Sequence, residues 1–442
     1  MWSSIHPRVG RARGLIVAAS VALAALWSLG SPAHADEPER LSGGDRIATA
    51  VAASGLWDSS EHIVVTVSDD FPDALAAGAL AAELEAPLLL TGGGGLDGLV
   101  AEEVARLGAG RAWVVGGEAV LGPQVEVDLL ARGLDVTRLA GADRFETAAR
   151  VMAELGDRAT IAVAPGEGFP DALSASTFAA RLDVPVLLSR RDGVPAATVQ
   201  AMAEAEPERI IAVGGRAVLS EGVHDELRQV VSDSPLGDDA LVSVAGSDRY
   251  ETSARSVTAA LDESTDEAAP VVVTTGADFP DALAAGAVAA RLDGYVLLTR
   301  PDRLPDVADT LLRAHPARFG SAVVMGGSAA VSDFVAEELA AALTGDMRPE
   351  PEPEPQPPPE VVIENGRLST GEVTAPSRTE VRVVNRDAVA YEFRYLVALV
   401  PSGFTVQPEG VRTVTMPDRT ADYVCIECHD DARRLRLAPA SR

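Results

Sequence analysis

Short apolar runs alternate with alanine-rich amphipathic segments along most of this chain. The run HIVVTVS at 62–68 is apolar and β-branched, which is typical of a buried strand. It is followed by an Ala/Leu segment with helical spacing, a strand-like run at 86–91, a further helical segment and a third strand-like run at 112–117. Strands joined by helical crossovers form parallel sheets covered by helices, so the pattern predicts an α/β fold.

The same pattern occurs three times, at a spacing of roughly 100 residues that suits a small domain. Each copy carries four motifs in the same order. The motifs are GGDRIATA (43–50), GADRFETA (141–148) and GSDRYETS (246–253); FPDALAAGALAA (71–82), FPDALSASTFAA (169–180) and FPDALAAGAVAA (279–290); APLLLT (86–91), VPVLLS (184–189) and GYVLLT (294–299); and WVVGGEAVL (113–121), IAVGGRAVL (211–219) and VVMGGSAAV (323–331). We therefore predict repeat unit 1 at 41–137, unit 2 at 138–242 and unit 3 at 243–345.

The aspartate of the Phe-Pro-Asp motif has two interpretations. It follows a proline and opens an alanine-rich helix, so its carboxylate is expected to be the N-cap of that helix. The alternative is a polar site at the carboxyl ends of the strands, where open α/β sheets bind ligands. No base or second carboxylate recurs beside it in all three copies, so the sequence predicts no catalytic activity. The aspartates concerned are Asp73, Asp171 and Asp281.

An arginine recurs directly after the aspartate of the G-x-D-R motif, as Arg46, Arg144 and Arg249. A guanidinium can bind a phosphate or a carboxylate through two parallel hydrogen bonds. It can equally pair with a carboxylate of its own or of a neighbouring unit, and the sequence leaves both roles open. The Gly-Gly pairs that follow the third strand lack the glycine spacing and the lysine of a phosphate loop, so they are only a weak indication of nucleotide binding.

Taken together, the motifs G-x-D-R-[FY]-E-T, F-P-D-A-L-[AS]-A, LL[ST] and V-[GM]-G-G-x-A-V resemble the cell wall-binding repeat 2 family of Gram-positive bacteria. The first copy departs from that pattern, since DRIATA lacks the aromatic residue and the acid. The resemblance implies three units about a pseudo-threefold axis and non-covalent attachment to anionic cell wall polysaccharide. It also implies that the LL[ST] region lies near the polymer, although the leucines alone are typical of core strands. The leucines are Leu89, Leu90, Leu187, Leu188, Leu297 and Leu298.

The net charge of −29 argues against nucleic-acid binding, which needs a basic surface. It also opposes an anionic polymer, because like charges repel one another. Attachment would then depend on local arginine clusters, on bridging divalent cations or on backbone amides at helix N-termini. The sequence does not choose among these three.

The N-terminus has the layout of a secretory signal peptide. Arginines precede an apolar run from Gly14 to Leu29, and AHA at 33–35 offers small residues at a cleavage site after Ala35. An uncleaved membrane anchor is the alternative interpretation. No later stretch is long and apolar enough to span a bilayer, so a secreted protein at the cell wall or extracellular surface is predicted.

The C-terminal part differs in composition from the repeats. A Pro/Glu-rich linker at 347–360 is expected to be extended and stiff, and 361–442 is rich in β-type runs separated by Pro, Gly and Asp. These runs predict a small antiparallel β-sandwich or barrel, immunoglobulin-like or cupredoxin-like. The segments VNRD, GVRTVTM and YVCIECHDD resemble the order of elements in a cupredoxin. A copper site of the cupredoxin type needs two His and a Cys. Where its upstream His is expected, this chain has Ala390, Tyr391 and Glu392, so no cofactor is predicted.

The sequence CIECH at 425–429 has three interpretations. Two cysteines in an exported protein favour a disulfide between Cys425 and Cys428. Two cysteines followed by a histidine also match the attachment pattern of haem c, and Cys425 with His429 could contribute to a copper site.

These observations leave three functional classes. The first is a non-catalytic surface protein that holds the wall through its repeats and carries a small β module. The second is an electron-transfer or metal-binding protein that acts through the C-terminal domain. The third is the targeting part of a cell wall hydrolase.

Overall fold

The computed structural model forms two compact bodies, divided between residues 350 and 351. The predicted signal peptide and most of the linker lie outside the described residues. Described are residues 38–264, 267–349, 359–370, 372–375, 380–395, 403–415, 421–425, 428 and 434–439.

The first body consists of short strands and helices that alternate along the chain, which confirms the α/β prediction. The strands are β1 Glu39–Leu41, β2 His62–Val67, β3 Leu88–Thr91, β4 Arg111–Val115, β5 Asp135–Leu139, β6 Thr160–Pro165, β7 Val186–Ser189, β8 Arg209–Val213, β9 Leu241–Val244, β10 Ala269–Thr275, β11 Tyr295–Thr299 and β12 Phe319–Met325. The helices are α1 Arg46–Ser54, α2 Pro72–Glu83, α3 Gly98–Leu107, α4 Gln124–Leu130, α5 Arg144–Leu155, α6 Phe169–Leu182, α7 Ala196–Ala205, α8 Glu221–Val230, α9 Arg249–Glu263, α10 Ala285–Arg291, α11 Asp306–Ala314 and α12 Asp333–Thr344.

Three four-stranded sheets result, with the orders β3-β2-β4-β5, β7-β6-β8-β9 and β11-β10-β12-β1. Every recorded strand pair in these sheets is parallel. The carboxyl ends of the strands in one sheet therefore lie at the same edge. Each unit contributes three complete strands to its sheet, and the first of these in the chain lies between the other two.

The fourth strand of each sheet immediately precedes the G-x-D-R motif. Strand β5 pairs with β4, although it extends across the predicted boundary between units 1 and 2. The sheet of unit 3 receives the equivalent strand from the start of the chain, because β1 pairs with β12 and sets Leu41 opposite Met325. The first described strand thus completes the last repeat.

The alanine-rich helices α2, α6 and α10 pack against one another in the middle of this body. Small side chains let their axes approach closely, and a Cβ on Gly286 would lie 3.2 Å from the Cβ of Ser176 in the neighbouring unit. Thr177 also crosses between units, because its hydroxyl donates to the carbonyl of Val296 at 2.8 Å and accepts from the amide of that residue at 2.9 Å. These contacts produce the pseudo-threefold arrangement.

The second body consists of β-strands in two mixed sheets, so the antiparallel prediction is wrong for two strand pairs: β13 with β16 and β15 with β21 are parallel. The strands are β13 Glu360–Glu364, β14 Arg367–Leu368, β15 Glu372–Ala375, β16 Glu380–Asn385, β17 Tyr391–Tyr395, β18 Gly403–Val406, β19 Val411–Thr415, β20 Ala421–Cys425 and β21 Arg434–Pro439. The sheet orders are β14-β13-β16-β19 and β15-β21-β20-β17-β18. Buried residues from both sheets, such as Val381 and Phe393, share one hydrophobic core, so the two sheets form a sandwich.

Candidate functional site

The three Phe-Pro-Asp turns meet where the three units of the first body come together. Each turn follows the first strand of its unit, and the rings of Phe71, Phe169 and Phe279 touch in a triangle. Their centroids lie 6.1, 5.9 and 5.7 Å apart, within the range of favourable aromatic pairs. The turns, and with them the carboxyl ends of the three sheets, therefore meet on one surface. We call the loops after these strand ends the carboxyl-end face.

The recurring arginines join neighbouring units on this face. Each guanidinium lies over the phenylalanine ring of the preceding unit, and the third contact closes the cycle. The distances to the ring centroids are 5.8 Å for Arg144 over Phe71, 5.6 Å for Arg249 over Phe169 and 6.0 Å for Arg46 over Phe279. A cation held over a ring face in this way contributes about 0.5–2 kcal/mol.

The same arginines are hydrogen bonded at the strand ends of their own units. Their Nη1 atoms donate to the carbonyls of Ser68 at 3.0 Å, Gly166 at 2.7 Å and Gly276 at 2.6 Å. The donors are Arg46, Arg144 and Arg249, in that order. These contacts pack the side chains between units. Arg46 and Arg144 also pair with carboxylates, with Asp69 at 3.1 Å and Asp70 at 3.8 Å, which is one of the two roles left open by the sequence. Binding of an anion by these arginines stays a prediction.

The N-cap role predicted for the Phe-Pro-Asp aspartates is wrong. Helix α2 begins at Pro72, so its N-cap is Phe71 and Asp73 lies inside the first turn. Asp171 likewise lies inside the first turn of α6, and Asp281 lies in a 3₁₀ turn. Proline takes the first helical positions, where its missing amide costs nothing, and this moves the carboxylate past the cap.

The aspartates of the G-x-D-R motif are N-caps of other helices, namely α1, α5 and α9, which follow that motif. The carboxylate of Asp143 accepts from the amides of Phe145 and Glu146, and that of Asp248 accepts in the same way in unit 3. Asp45 accepts from the amide of Ala48 in unit 1. Each such cap stabilises its helix by about 1 kcal/mol.

Two of the Phe-Pro-Asp carboxylates, those of Asp73 and Asp171, face inward, towards the next unit. Burial raises the pKa of Asp73, although a hydrogen bond with Thr147 of unit 2 opposes the shift. The pKa of Asp171 is raised for the same reason and is opposed by Thr252 of unit 3. The Oδ1 atom of Asp73 is buried and accepts no hydrogen bond within the described part of the chain.

The first glycine of each Gly-Gly pair is explained by the Phe-Pro-Asp carboxylate of its unit. Gly116 has φ +129°, and a Cβ placed there would lie 3.1 Å from Oδ2 of Asp73. Gly326 has φ +108°, and its Cβ would lie 2.8 Å from Oδ2 of Asp281. Only glycine combines this backbone conformation with so close an approach. The first glycine of the pair therefore makes room for an aspartate.

The leucines of the LL[ST] motif lie in the core, as is typical of core strands, so their side chains cannot themselves contact a polymer. That the region lies near the polymer stays a prediction. They belong to β3, β7 and β11, where helices cover them. The side chains of Leu89, Leu90, Leu187, Leu188, Leu297 and Leu298 are all buried, with at most 1% exposed. The residue that directly follows the motif lies at the surface, at the carboxyl end of the strand.

That next residue is Arg190 in unit 2 and Arg300 in unit 3. Arg190 lies over the ring of Phe145 at 5.0 Å, and Arg300 lies over the ring of Tyr250 at 5.0 Å. Both guanidinium groups remain about half exposed, with 56% and 48% of the side-chain surface accessible. Neither residue is predicted by the recurring motifs of the sequence. Their only signal was an Arg directly after LLS or LLT.

A cleft lies beside Arg190. It has a volume of about 350 Å³, at the lower end of the range for ligand sites. Its floor and rim come from the loop after β7, together with Glu167 of the loop after β6. The loop is held in place by Glu226 of α8, whose carboxylate accepts from the amide of Val194 at 3.2 Å.

The equivalent loops in the other units are held by the same device. Asp128 accepts from the amide of Leu96 at 3.0 Å in unit 1, and Glu338 accepts from the amide of Leu304 at 2.5 Å in unit 3. These carboxylates lie in the last helix of each unit, and no motif in the sequence marked them.

Cys425 and Cys428 of the second body are joined by a disulfide. While that bond is intact, neither sulfur is a thiolate that could bind copper or a thiol that could attach haem. His429 lies outside the described residues. Within the described ranges, no cluster of three or more His, Cys, Asp or Glu side chains has the geometry of a metal site. None of the described helices combines the length and apolar character needed to cross a bilayer.

Comparison with known proteins places the repeats in one family. The family model described as "Cell wall binding domain 2 (CWB2)" matches residues 40–126, 138–224 and 243–336. Among solved structures, Cwp6 from Clostridium difficile superposes with a TM-score of 0.63 at 24% identity, over 77% of this chain and 52% of that one. At this level of identity the superposition supports the fold.

Two curated proteins of Bacillus subtilis (strain 168) are similar in sequence. N-acetylmuramoyl-L-alanine amidase LytC is 26% identical over 309 residues, which are 70% of this chain and 59% of the amidase. A protein called amidase enhancer is 25% identical over 276 residues, which are 62% of this chain and 36% of the relative. The chain thus covers only about a third to three fifths of the length of these relatives.

Proposed function

This chain belongs to the cell wall binding domain 2 family, and from that premise we propose that it is a secreted surface protein that attaches non-covalently to anionic cell wall polysaccharide. The attachment surface is the carboxyl-end face of the three repeats. The β-sandwich is carried as a separate module.

The observation that supports this face most strongly is the pair of stacked arginines. The protein is acidic overall, with a net charge of −29, so an anionic polymer needs local cationic groups to hold it. Arg190 and Arg300 lie half exposed on the carboxyl-end face. Guanidinium groups pair with phosphate or carboxylate through two parallel hydrogen bonds, which gives both affinity and orientation.

Divalent cations are part of this proposal as a second kind of bridge. The carboxylates of Asp143 and Asp248 lie near the stacked arginines, at 3.6 and 3.9 Å from their Nη2 atoms. A hard cation such as Ca²⁺ takes oxygen ligands from protein and ligand together, so it could join these carboxylates to an acidic polymer.

We propose that the chain has no catalytic activity of its own. The recurring aspartates are the strongest candidates for acid–base chemistry. However, Asp73 faces Thr147 and the backbone of Gly116, where a substrate would have no room. The similarity to an amidase and to an amidase enhancer favours a second candidate, in which the repeats target a wall hydrolase.

The proposal is tested by cosedimentation of the purified full chain with isolated cell wall sacculi. Half of the sacculi are first treated with hydrofluoric acid, which removes polymers attached through phosphodiesters. We expect binding to the untreated sacculi and its loss after the treatment. Equal binding to both preparations would overturn the assignment to an anionic polymer, and a parallel series with EDTA measures the part that depends on divalent cations.

A further inference from the structure

We propose that only units 2 and 3 recognise the polymer, at two sites built on Arg190 and Arg300, whereas unit 1 completes the body without a site. Each site binds a phosphate- or carboxylate-bearing saccharide group. This inference rests on the proposed function and deepens it. We call the two places the stacked-arginine sites.

The three units differ at two equivalent positions. The residue after the LL[ST] motif is arginine in units 2 and 3 but Gly92 in unit 1. The residue after the recurring Asp-Arg pair is Phe145 or Tyr250 in units 2 and 3 but Ile47 in unit 1. Unit 1 therefore lacks both the cation and the ring that holds it.

Each stacked arginine is positioned by a ring and by a long ion pair that leaves its N–H donors unbonded. Its ring contact is 5.0 Å in both units. The facing carboxylates, Asp143 and Asp248, are 3.6 and 3.9 Å away, which is beyond hydrogen-bond distance. Across the residues that the structure describes, neither Arg190 nor Arg300 has a guanidinium hydrogen bond to the protein. A guanidinium over a ring keeps its N–H donors at its edge, where they can bind an incoming anion.

In unit 2 the stacked arginine borders the cleft of about 350 Å³. A second guanidinium stands beside it, because Arg191 is fixed by a hydrogen bond from its Nε to the carbonyl of Ala217 at 2.9 Å. Val194 and Pro195 add apolar surface to the lining. Glu167 and Asp192 also line the cleft, so its guanidinium groups form the cationic part of a lining of mixed charge. Cations beside a small apolar surface suit an acidic sugar, whose ring has apolar faces and whose substituent carries the charge.

The equivalent loop of unit 1 offers no side chain to a polymer, because its residues 92–95 are all glycine. Its backbone follows the path that the three units share. The carbonyl of Gly93 accepts from the amide of Gly122 at 2.8 Å, as the carbonyls of Arg191 and Pro301 accept from the amides of Ser220 and Ser332. A Cβ on Gly93 would lie 2.6 Å from the carbonyl oxygen of Val120. The loop thus packs against the Gly-Gly turn of its own unit.

The test compares binding of full-length variants to acidic polysaccharide released from sacculi. Arg190→Gln and Arg300→Gln each remove one charge-assisted contact, so each should weaken binding about tenfold, and the double variant should weaken it further. The matched control is Arg132→Gln with Arg228→Gln, which removes the same charge from an exposed turn after α4 and from the exposed surface of α8, and should leave the affinity within about twofold. Thermal unfolding of each variant shows that the fold is kept.

A reciprocal variant keeps the inference testable should the substitutions at the arginines impair folding. Gly92→Arg with Ile47→Phe builds the missing pair into unit 1. A Cβ on Gly92 meets nothing within 4 Å, so the arginine can be accommodated. We expect tighter binding than in the parent chain.

The outcomes separate the two proposals. A parent chain that fails to bind any wall polymer would refute the proposed function itself. A parent chain that binds, with the double glutamine variant equal to the control pair, would refute the stacked-arginine sites alone. Unchanged affinity of the unit 1 variant would also contradict the account of why unit 1 lacks a site.

Discussion

The guanidinium of Arg144 lies 5.8 Å from the ring centroid of Phe71, although the two residues belong to different repeats. The arginine also lies 3.8 Å from Asp70 of the same turn. Because its own unit anchors it through the carbonyl of Gly166, the side chain links two sheets directly. The recurring arginine therefore links neighbouring units.

Substitution of this arginine should destabilise the first body. Arg144→Gln removes the ring contact and the hydrogen bond to Gly166, and we expect a loss of about 1–2 kcal/mol in the free energy of unfolding. Chemical denaturation measures it. Arg150→Gln, which breaks an exposed pair with Glu146 on the same helix, should change stability by less than about 0.5 kcal/mol. Equal losses for both variants would contradict the linking role.

The buried aspartates should make stability depend on pH in an unusual direction. The pKa of Asp73 in the folded state is raised above its ordinary value, so the folded state binds protons more readily than the unfolded state. This group therefore lowers stability as the pH rises through the window between its unfolded and folded pKa values.

Asp73→Asn should consequently raise the unfolding temperature at neutral pH. The gain should shrink as the pH falls below the folded pKa, where the carboxyl is already neutral. Melting curves at several pH values test this, and a gain that stays constant with pH would contradict it. Glu251 is an internal contrast. Hydrogen bonds from Ser247 lower its pKa to about 2, so its stabilisation is present above its unfolded pKa and is lost as the pH falls towards 2.

The first described strand should matter more than its three residues suggest. Arg40 donates to the carbonyls of Gly326 at 2.9 Å and Val331 at 2.8 Å, and pairs with Asp333 at 3.0 Å. Arg138 makes the equivalent contacts for β5, with the carbonyls of Gly116 and Leu121. Arg40→Ala should therefore cost about 1–3 kcal/mol, like Arg138→Ala.

In hydrogen exchange, the loss of amide protection caused by Arg40→Ala should be confined to β12 and α12. The reason is that β1 pairs with β12 at the edge of that sheet. Protection that falls evenly over the three units would contradict the idea that this strand closes unit 3.

The disulfide should stabilise the second body and have no effect on binding to the wall. Reduction of Cys425–Cys428 opens a very short loop and should lower the stability of the sandwich by about 1–2 kcal/mol. Binding to sacculi should be unchanged.

The purified protein should also lack absorption bands of haem or blue copper, and the appearance of either band would contradict the absence of a cofactor.

The sequence predicted the fold class well because the evidence for it was repeated. Apolar β-branched runs and alanine-rich helices occurred three times in one order, which left little room for another architecture. The closure by β1 could not be predicted, since three residues carry no periodic signal. The helix starts were misjudged at Asp73 because the preceding proline, rather than the carboxylate, determines where the helix begins.

The candidate site was predicted less well. The motifs drew attention to residues that recur in all three units, and those are the residues that hold the units together. Arg190 and Arg300 are present in only two copies, so a search for recurrence passes over them. Their significance depends on the ring beneath each guanidinium, which is close in space but about 45–50 residues away in the chain.

The central claim is that the wall is held by the carboxyl-end face, and site-directed blocking tests it most directly. Ser328→Cys places a thiol on the exposed Gly-Gly turn of that face, and Glu208→Cys places one at the opposite, amino end of β8. Each full-length variant is coupled to a bulky maleimide polymer and assayed for binding to sacculi. We predict that the label at 328 abolishes binding while the label at 208 leaves it intact. Binding that survives the label at 328, or that is lost only with the label at 208, would contradict the account.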